Sequence, residues 1–190
     1  NALGRSIFDP AVKLKRKKII DYLLSDEFNF DVSPDSLFKL KNNGWFDLFE
    51  AATARGAKIE TLENGKSIFH YADYKTFITL AGAFKNYKFN KEAESGLAQR
   101  ILSSSKQFDA EECLSIMKIL SERGYDFNVK AENEPLPIFS AVKHRVFYNT
   151  TGGVEIVKTL IQKGADINLK DKYYYSIMEI AAGKLNVELI

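Results

Sequence analysis

Apolar residues recur at spacings of three and four residues in five stretches of the chain, with polar and charged residues between them. Such spacing places the apolar side chains along one face of an α-helix, which turns once in about 3.6 residues. The pattern therefore predicts five helices, each with one buried face. The apolar positions are Ile19, Ile20, Leu23 and Leu24; Leu48, Phe49 and Ala52; Phe77, Ile78 and Ala81; Ile116, Met117, Ile119 and Leu120; and Ile156, Val157, Leu160 and Ile161.

A short motif follows each of these stretches. The best copies are GADIN at 164–168 and GYDFN at 124–128, and a third copy, GAKIE, lies at 56–60. Weaker copies are NYKFN at 86–90 and EFNFD at 27–31. The copies begin 29, 30, 38 and 40 residues apart, which is typical of solenoid proteins built from stacked repeats.

Each position of the motif has a physical role. Glycine or asparagine in first place ends a helix, because these residues adopt the left-handed conformation at least cost. The fourth place is apolar and is expected to anchor the emerging chain on the core. An acidic residue or asparagine follows, and Asp or Asn there can bond the turn backbone. The predicted anchors are Phe30, Ile59, Phe89, Phe127 and Ile167.

A shorter apolar segment comes after the motif and a polar turn. PLPIFSAV at 135–142 and YSIMEIAA at 175–182 align without gaps when the two best motifs are superposed, and KSIFHYAD at 66–73 aligns with one deletion. We interpret these segments as short helices. The repeating unit is then a turn, a short helix, a loop and a longer helix.

These residues resemble the ankyrin repeat, whose pattern runs D-x-x-G-x-T-P-L-H-x-A-A and ends in G-A-D-I-N or a similar motif. The resemblance covers most of residues 31–190, is strongest from 124 onward and is loosest over 86–123. Tyr174 stands at the family's glycine and Glu179 at its histidine. The matching residues are Gly44 and Gly56; Gly65, Ser67 and His70; Pro137; and Asp171, Ser176, Ala181 and Ala182.

The resemblance implies an all-α ankyrin-repeat solenoid of about five helix-turn-helix units with irregular inter-helix loops. We predict one domain over 1–190, with a cap at 9–31, units at 32–60, 61–90, 91–128 and 129–168, and a truncated unit at 169–190. Residues 9–24 are expected to form the second helix of a unit whose first helix is degenerate or missing. A different helical-pair solenoid with longer repeats is the alternative.

The resemblance also implies a function, since ankyrin arrays bind proteins through their turn tips and the concave face. The tips carried over to this sequence are Glu63, Asn64, Lys66, Glu132, Asn133, Lys172, Tyr173 and Tyr175, and the concave rim is Tyr74, Lys75, Lys143 and His144. Long loops at 103–112 and 143–153 add to this surface, and Phe147 and Tyr148 beside Arg145 suit a binding hot spot. The alternative is that both aromatics fold back over the core.

Three successive tyrosines, 173–175, stand at the tip of one inter-repeat turn. Core packing does not require three aromatics in a turn, whereas tyrosine is favoured in binding surfaces. Contact with a following repeat is the competing explanation.

Composition narrows the classes of function. The chain has 45% hydrophobic and 27% charged residues and a net charge of +2, which is typical of a globular protein and gives no argument for nucleic acid. Charges interrupt every apolar run, so no membrane insertion is expected. A single cysteine, Cys113, excludes an internal disulfide framework and favours an intracellular, cytoplasmic protein.

Catalytic and ligand-binding motifs are weak. NGKS at 64–67 lacks the first glycine of a phosphate-binding loop, because Glu60 stands there. His70 is expected to be structural, as in the ankyrin pattern, and Cys113 to be a buried, inert thiol. We therefore predict no enzyme activity, no cofactor, no metal and no small-molecule ligand.

KLKRKK at 13–18 has five cations in six residues. Flanking acids and apolar residues at helical spacing favour a solvated helix face, with nucleic-acid binding as the alternative.

The function predicted is a protein–protein interaction module. It fits part of a bacterial effector delivered to a host cell. The alternatives are an immunity or antitoxin protein, and the regulatory or targeting portion of a larger enzyme.

Overall fold

The computed structural model describes residues 7–25, 32–57, 59, 65–89, 91, 94–104, 107–130, 134–143 and 151–183. These residues form α-helices, one 3₁₀ helix and one isolated bridge. The helices are α1 (Phe8–Lys13), α2 (Lys17–Leu23), α3 (Pro34–Asn42), α4 (Phe46–Ala54), the 3₁₀ helix (Ile68–Tyr71), α5 (Tyr74–Ala83), α6 (Leu97–Ser103), α7 (Ala110–Glu122), α8 (Pro137–Lys143), α9 (Thr151–Gln162) and α10 (Ile177–Gly183).

The first predicted element is wrong. The sequence predicts one helix over 9–24, but the structure has the pair α1 and α2, which pack against each other. Lys15 separates them with φ of 54°. The Arg16 amide donates to Ala11 O and the Lys15 amide to Val12 O, a closing arrangement common at helix ends. The break escaped prediction because a lysine, and not a glycine, takes the left-handed position.

The repeated motif ends helices as predicted in its three best copies. Gly56, Gly124 and Gly164 have φ of 79°, 77° and 88°, values that cost glycine little. In each copy the amide of the next residue donates to a carbonyl five residues earlier, as Ala165 does to Leu160. Asn86 departs from the prediction, because its φ is not positive.

Most predicted core positions are buried, and the exceptions have a common cause. Ile19, Ile78 and Ile161 are 49%, 37% and 41% exposed. Each lies next to a buried residue in its helix, about 100° around the axis, and so faces away from the core.

The predicted apolar anchors of the motif also include both buried and exposed residues. Ile59 and Phe127 are buried and confirm the prediction, and Phe89 is half-buried. Ile167 is 42% exposed, because the described residues that follow it, up to 183, leave its side chain uncovered. Phe30 lies outside the described residues.

The chain divides into two compact units. The first comprises residues 1–72 and 79–85, in which α1 packs on α2 and α3, and α3 packs on α4. Arg55 Nη1 donates to Leu24 O at 3.1 Å and to Ser25 O at 2.7 Å. The predicted short helix at 66–73 is here a single turn of 3₁₀ helix, and not an α-helix.

The second unit comprises residues 73–78 and 86–190. In it α6 and α7 form one pair and α8 and α9 another, while α7 packs on α9, and α8 packs on α6 and α10. Helix α7 begins with a capping box, in which Asp109 accepts from the Glu112 amide and Glu112 accepts from the Asp109 amide. The predicted unit boundaries and the single domain stay predictions.

Asparagine in the repeated motif joins one copy to the next. Asn128 Nδ2 donates to Gly164 O at 2.7 Å, and Asn128 Oδ1 accepts from the Asp166 amide at 2.9 Å. Within each copy the aspartate accepts from the amide two residues later, Asp126 from Asn128 and Asp166 from Asn168. The motif is therefore both a helix stop and a connector between neighbouring repeats in the second unit.

Candidate partner-binding site

The turn that follows the last motif, GADIN at 164–168, carries the three tyrosines. Residues 170–176, which we name the tyrosine turn, are closed by a bridge between Lys170 and Ser176. The Asp171 amide donates to Tyr175 O at 2.9 Å, and the Tyr174 amide donates to Asp171 O at 3.0 Å. The backbone of the turn is thus hydrogen-bonded across its whole width.

Asp171 organises the turn from inside. Its Oδ1 accepts from the Tyr173 amide at 2.8 Å and from the Tyr175 amide at 2.9 Å. Its Oδ2 accepts from Lys143 Nζ, at the end of α8. The Asp171 side chain is only 3% exposed, so this pair ties the turn to the helix before it.

The same bonds lower the pKa of the Asp171 carboxyl. The largest cause is the hydrogen bond from Lys143, and the amides of Tyr175 and Tyr173 act in the same direction. A carboxyl with a lowered folded pKa stabilises the fold above its unfolded pKa of about 3.9 and loses that contribution as the pH falls through the folded pKa.

Asp171→Asn is therefore expected to lower the urea midpoint at neutral pH. The difference from the wild type should shrink as the pH falls below about 4, because the wild-type carboxyl is then protonated as well. Urea titrations of both proteins across this pH range measure it, with Asp21→Asn, an exposed position of α2, as the control. A difference that stays constant with pH would contradict the assignment.

A capping box begins α10 directly after the turn. The Ser176 amide donates to Glu179 Oε2 at 2.7 Å, and the Glu179 amide donates to Ser176 Oγ at 3.2 Å. The hydrogen bond from the Ser176 backbone is also the largest cause that lowers the pKa of Glu179. Glu179, which stands at the family's histidine, thus has a structural role. The S-x-x-E spacing before an apolar run was the signal for it in the sequence.

The outer side of the turn is aromatic. Tyr173, Tyr174 and Tyr175 are 63%, 80% and 55% exposed. Lys143 Nζ lies 5.8 Å and Lys172 Nζ 5.1 Å from the centre of the Tyr173 ring, distances at which an ammonium group is attracted to the ring face. The structure therefore brings predicted rim residue Lys143 together with predicted tip residues Lys172 and Tyr173. We name Lys143 and residues 171–175 the tyrosine-turn cluster.

Tyr174 is the residue that the predicted site omitted. Its φ is 65°, in the left-handed region, where a residue with a Cβ is disfavoured by about 1 to 2 kcal/mol. The signal was present in the sequence, because Tyr174 stands at the family's glycine. A strained, exposed aromatic at a position suited to glycine is a reason to look for function there.

Tyr174→Gly is expected to raise the free energy of unfolding by about 0.5 to 1 kcal/mol, because relief of the strain exceeds the added entropy of the unfolded chain. Tyr173→Gly is the matched control, because Tyr173 has no positive φ and should lose stability on the same change. Urea unfolding measures the free energy of unfolding of each variant and of the wild type. Equal losses of stability would show that Tyr174 carries no strain.

The other predicted site residues are not part of this cluster. Lys66 is half-buried just before the 3₁₀ helix, and at the start of α5 Tyr74 is half-buried and Lys75 exposed. Their binding role stays a prediction. Seven more predicted residues lie outside the described ranges: Glu63, Asn64, Glu132, Asn133, His144, Phe147 and Tyr148.

The two candidate reactive side chains are buried. Cys113 is completely buried in α7, as predicted, and burial raises the pKa of its thiol to about 12, which disfavours the reactive thiolate. His70 is buried in the 3₁₀ helix. Among the described residues no group of histidine, cysteine, aspartate and glutamate is placed to hold a metal ion. In those same ranges, no helix is long and apolar enough to cross a membrane.

Comparisons with known proteins define the class. The family model of the ankyrin repeat matches residues 139–172, from α8 to the tyrosine turn. The crystal structure of the ankyrin repeat protein EF0377 is similar over 96% of this chain and 93% of that one, with a TM-score of 0.66 and 19% identity. No curated protein matches the chain in sequence. The fold is therefore an all-α ankyrin-repeat solenoid.

The family model matches one ankyrin repeat of this chain, and the structural likeness shows the same fold over most of its length. Ankyrin repeats are in general protein–protein interaction modules, and their fold is a non-catalytic scaffold.

Proposed function

We propose that this chain binds a partner protein through the tyrosine-turn cluster. The observation that supports this most directly is the exposure of Tyr173, Tyr174 and Tyr175 on a turn whose backbone is held by Asp171. Tyrosine dominates many protein interfaces, because its ring contributes a large contact area and its hydroxyl a hydrogen bond at low entropic cost.

Order in the free protein favours affinity. A turn that must become ordered on binding loses affinity through its lost conformational freedom, whereas a preorganised turn loses little. Asp171 bonds two amides of the turn and Lys143, and the Ser176–Glu179 box fixes the residue where α10 begins. The tyrosines are thus displayed on a backbone that need not rearrange.

Strain at Tyr174 supports the same proposal. A glycine at this position would form the turn at lower energy, so the fold alone gives no reason for a tyrosine with φ of 65°. Contact of this ring with a partner supplies such a reason.

The remaining predicted tips and rim extend the proposed surface. Tyr74 and Lys75 of the second unit are proposed to belong to it, Lys66 of the first unit stays a separate predicted contact, and a stable interface would bury about 800 Å² on each partner. The partner is proposed to be a protein, without nucleic acid or a small ligand at this site. The identity of the partner would define the role and location of this chain. A host protein as partner would fit an effector, and a toxin would fit an immunity protein. A catalytic chain as partner would fit a regulatory subunit.

The test is affinity capture from lysates of the source organism and of candidate hosts, read by mass spectrometry. It compares the wild type with a turn variant carrying Lys172→Ala, Tyr173→Ala and Tyr175→Ala. The matched control, Phe46→Ala with Lys118→Ala, removes an exposed aromatic residue and an exposed lysine elsewhere. Circular dichroism confirms that each variant is folded.

A protein captured by the wild type and the control, but lost by the turn variant, supports the proposal. Hot-spot tyrosines contribute about 2 to 4 kcal/mol, so affinity for that protein should fall at least about thirtyfold. Equal capture by all three proteins places the site elsewhere and overturns it. An absence of capture from every lysate also counts against it.

A further inference from the structure

A second surface lies in the first unit, at the turn between α1 and α2. Lys13, Lys15, Arg16, Lys17 and Lys18 are all exposed there. Among the described residues, Asp47 pairs with Lys17 at 3.3 Å, and Asp21 is exposed on α2. Asp9 is occupied by the hydroxyls of Ser33 and Ser36. The cations are solvent-exposed as predicted, but they lie around a turn between two helices and not on one helix face, and in the described part of the chain they outnumber the carboxylates beside them. We name residues 13–22 the basic patch.

Large apolar side chains are exposed within the same patch. Leu14, Ile19 and Tyr22 are 64%, 49% and 58% exposed. Lys18, Ile19 and Tyr22 lie along one side of α2, because residues three and four apart are neighbours on a helix. Exposed aliphatic groups interleaved with cations are typical of surfaces that enter the headgroup region of a lipid bilayer. A nucleic acid would contact the cations and leave Leu14 and Ile19 without a role.

The backbone conformation of the turn between α1 and α2 also favours a lipid surface over a nucleic acid. Lys15 adopts a left-handed conformation with φ of 54°, where glycine or asparagine would cost less. The break it makes places Leu14, Lys15 and Arg16 in an exposed turn between two helices whose buried faces hold Phe8, Val12 and Ile20. The apolar side chains of the turn are therefore additional to the core and are not needed to complete it.

We propose that the basic patch binds the surface of an anionic lipid bilayer, with its cations at the headgroups and Leu14 and Ile19 in the interface. This is peripheral binding, without a membrane-spanning segment. It is independent of partner binding by the tyrosine-turn cluster, which lies in the second unit. An ankyrin module with both surfaces would hold its protein partner at an acidic membrane surface.

The test is co-sedimentation of the full chain with vesicles of phosphatidylcholine, alone or mixed with phosphatidylserine. One variant carries Lys15→Gln, Arg16→Gln and Lys18→Gln, which leaves the Lys17–Asp47 pair intact. A second carries Leu14→Ser and Ile19→Ser. The matched control carries Lys118→Gln, Lys158→Gln and Lys163→Gln, three exposed lysines of the second unit. Circular dichroism and urea midpoints confirm that each is folded.

The wild type and the control should bind the mixed vesicles and not the neutral ones, more weakly as salt is raised. Each cation at an anionic surface is worth about a fivefold change, so the first variant should bind about a hundredfold more weakly. The second variant should bind the mixed vesicles at least about tenfold more weakly than the wild type.

Three results would overturn the proposal. One is that the wild type fails to bind the mixed vesicles at low salt. Another is that the control loses as much binding as the first variant, which would reflect net charge alone. The third combines two observations. The variant with Leu14→Ser and Ile19→Ser binds the mixed vesicles as tightly as the wild type does, and the wild type binds a DNA duplex or single-stranded RNA as tightly as it binds the vesicles. Together they would indicate a general site for polyanions. None of these results bears on the capture of a protein partner, because that experiment tests the tyrosine-turn cluster and not the basic patch.

Discussion

Replacement of Phe139 by alanine is expected to lower the free energy of unfolding of the second unit by about 3 to 5 kcal/mol. Phe139 is 1% exposed in α8, which packs against α6, α9 and α10. Loss of this buried ring leaves a cavity that close-packed helices fill only in part. Urea unfolding followed by circular dichroism measures the change.

Phe139→Ala is also expected to affect the tyrosine-turn cluster. Lys143 Nζ lies 5.9 Å from the centre of the Phe139 ring and is the partner of Asp171. The variant should therefore expose the amides of the tyrosine turn to faster hydrogen exchange than the wild type shows. Phe46→Ala is the matched control, because that ring is 43% exposed in α4 and its loss should cost far less. Similar losses for both variants would show that Phe139 is not a core residue.

Gly152→Ala is expected to destabilise the second unit by about 1 to 3 kcal/mol, although alanine normally favours a helix over glycine. A Cβ built at Gly152 in α9 lies 2.8 Å from the Cβ of Ala110, the first residue of α7. Because Ala110 has no flexible atoms that could move aside, the two helices must separate at this point. The thermal or urea midpoint should fall.

Gly82→Ala is the control with the opposite sign. Gly82 lies in α5, and among the described residues no atom outside the adjoining residues and the local helix backbone comes within 4 Å of the position that an alanine methyl group would occupy there. The same change at this position should raise stability by about 0.5 to 1 kcal/mol, through helix propensity alone. If both variants gain stability, α7 and α9 do not pack tightly at Gly152.

The two proposed surfaces share one physical feature. Each contains a residue other than glycine with positive φ, Tyr174 in the tyrosine turn and Lys15 in the basic patch, and among the described residues these are the two such positions. Strain of this kind is kept where the side chain has a use that outweighs its cost to stability. Tyr174→Gly should thus gain stability while it loses affinity for the captured partner.

Much of the fold was predictable from the sequence, because it depends on local rules. Helical spacing of apolar residues placed the longer helices, and the glycines of GADIN, GYDFN and GAKIE placed three of their ends. These signals act over a few residues, through helix periodicity and the conformational freedom of glycine. The ankyrin resemblance rested on the same residues and is confirmed.

The site was predictable only in part. Lys172, Tyr173 and Tyr175 were found because they stand at a turn tip, and Lys143 because it ends a short helix. Their proximity was not predictable, since Lys143 and Asp171 lie 28 residues apart and meet only when α8 and the turn pack together. Tyr174 was omitted although it stands at the family's glycine, and the structure adds that its φ is positive.

The sequence by itself determined most of the longer helices, three of their ends and the repeat, because these follow from local spacing and backbone preference. Only the tertiary structure decided that residues 9–24 form two helices, and that Ile19, Ile78, Ile161 and Ile167 are exposed. It also decided that the side chain of Asp171 is only 3% exposed in a turn that carries three exposed tyrosines. Exposure and long-range pairing depend on which surfaces neighbouring elements cover, and that is set by packing.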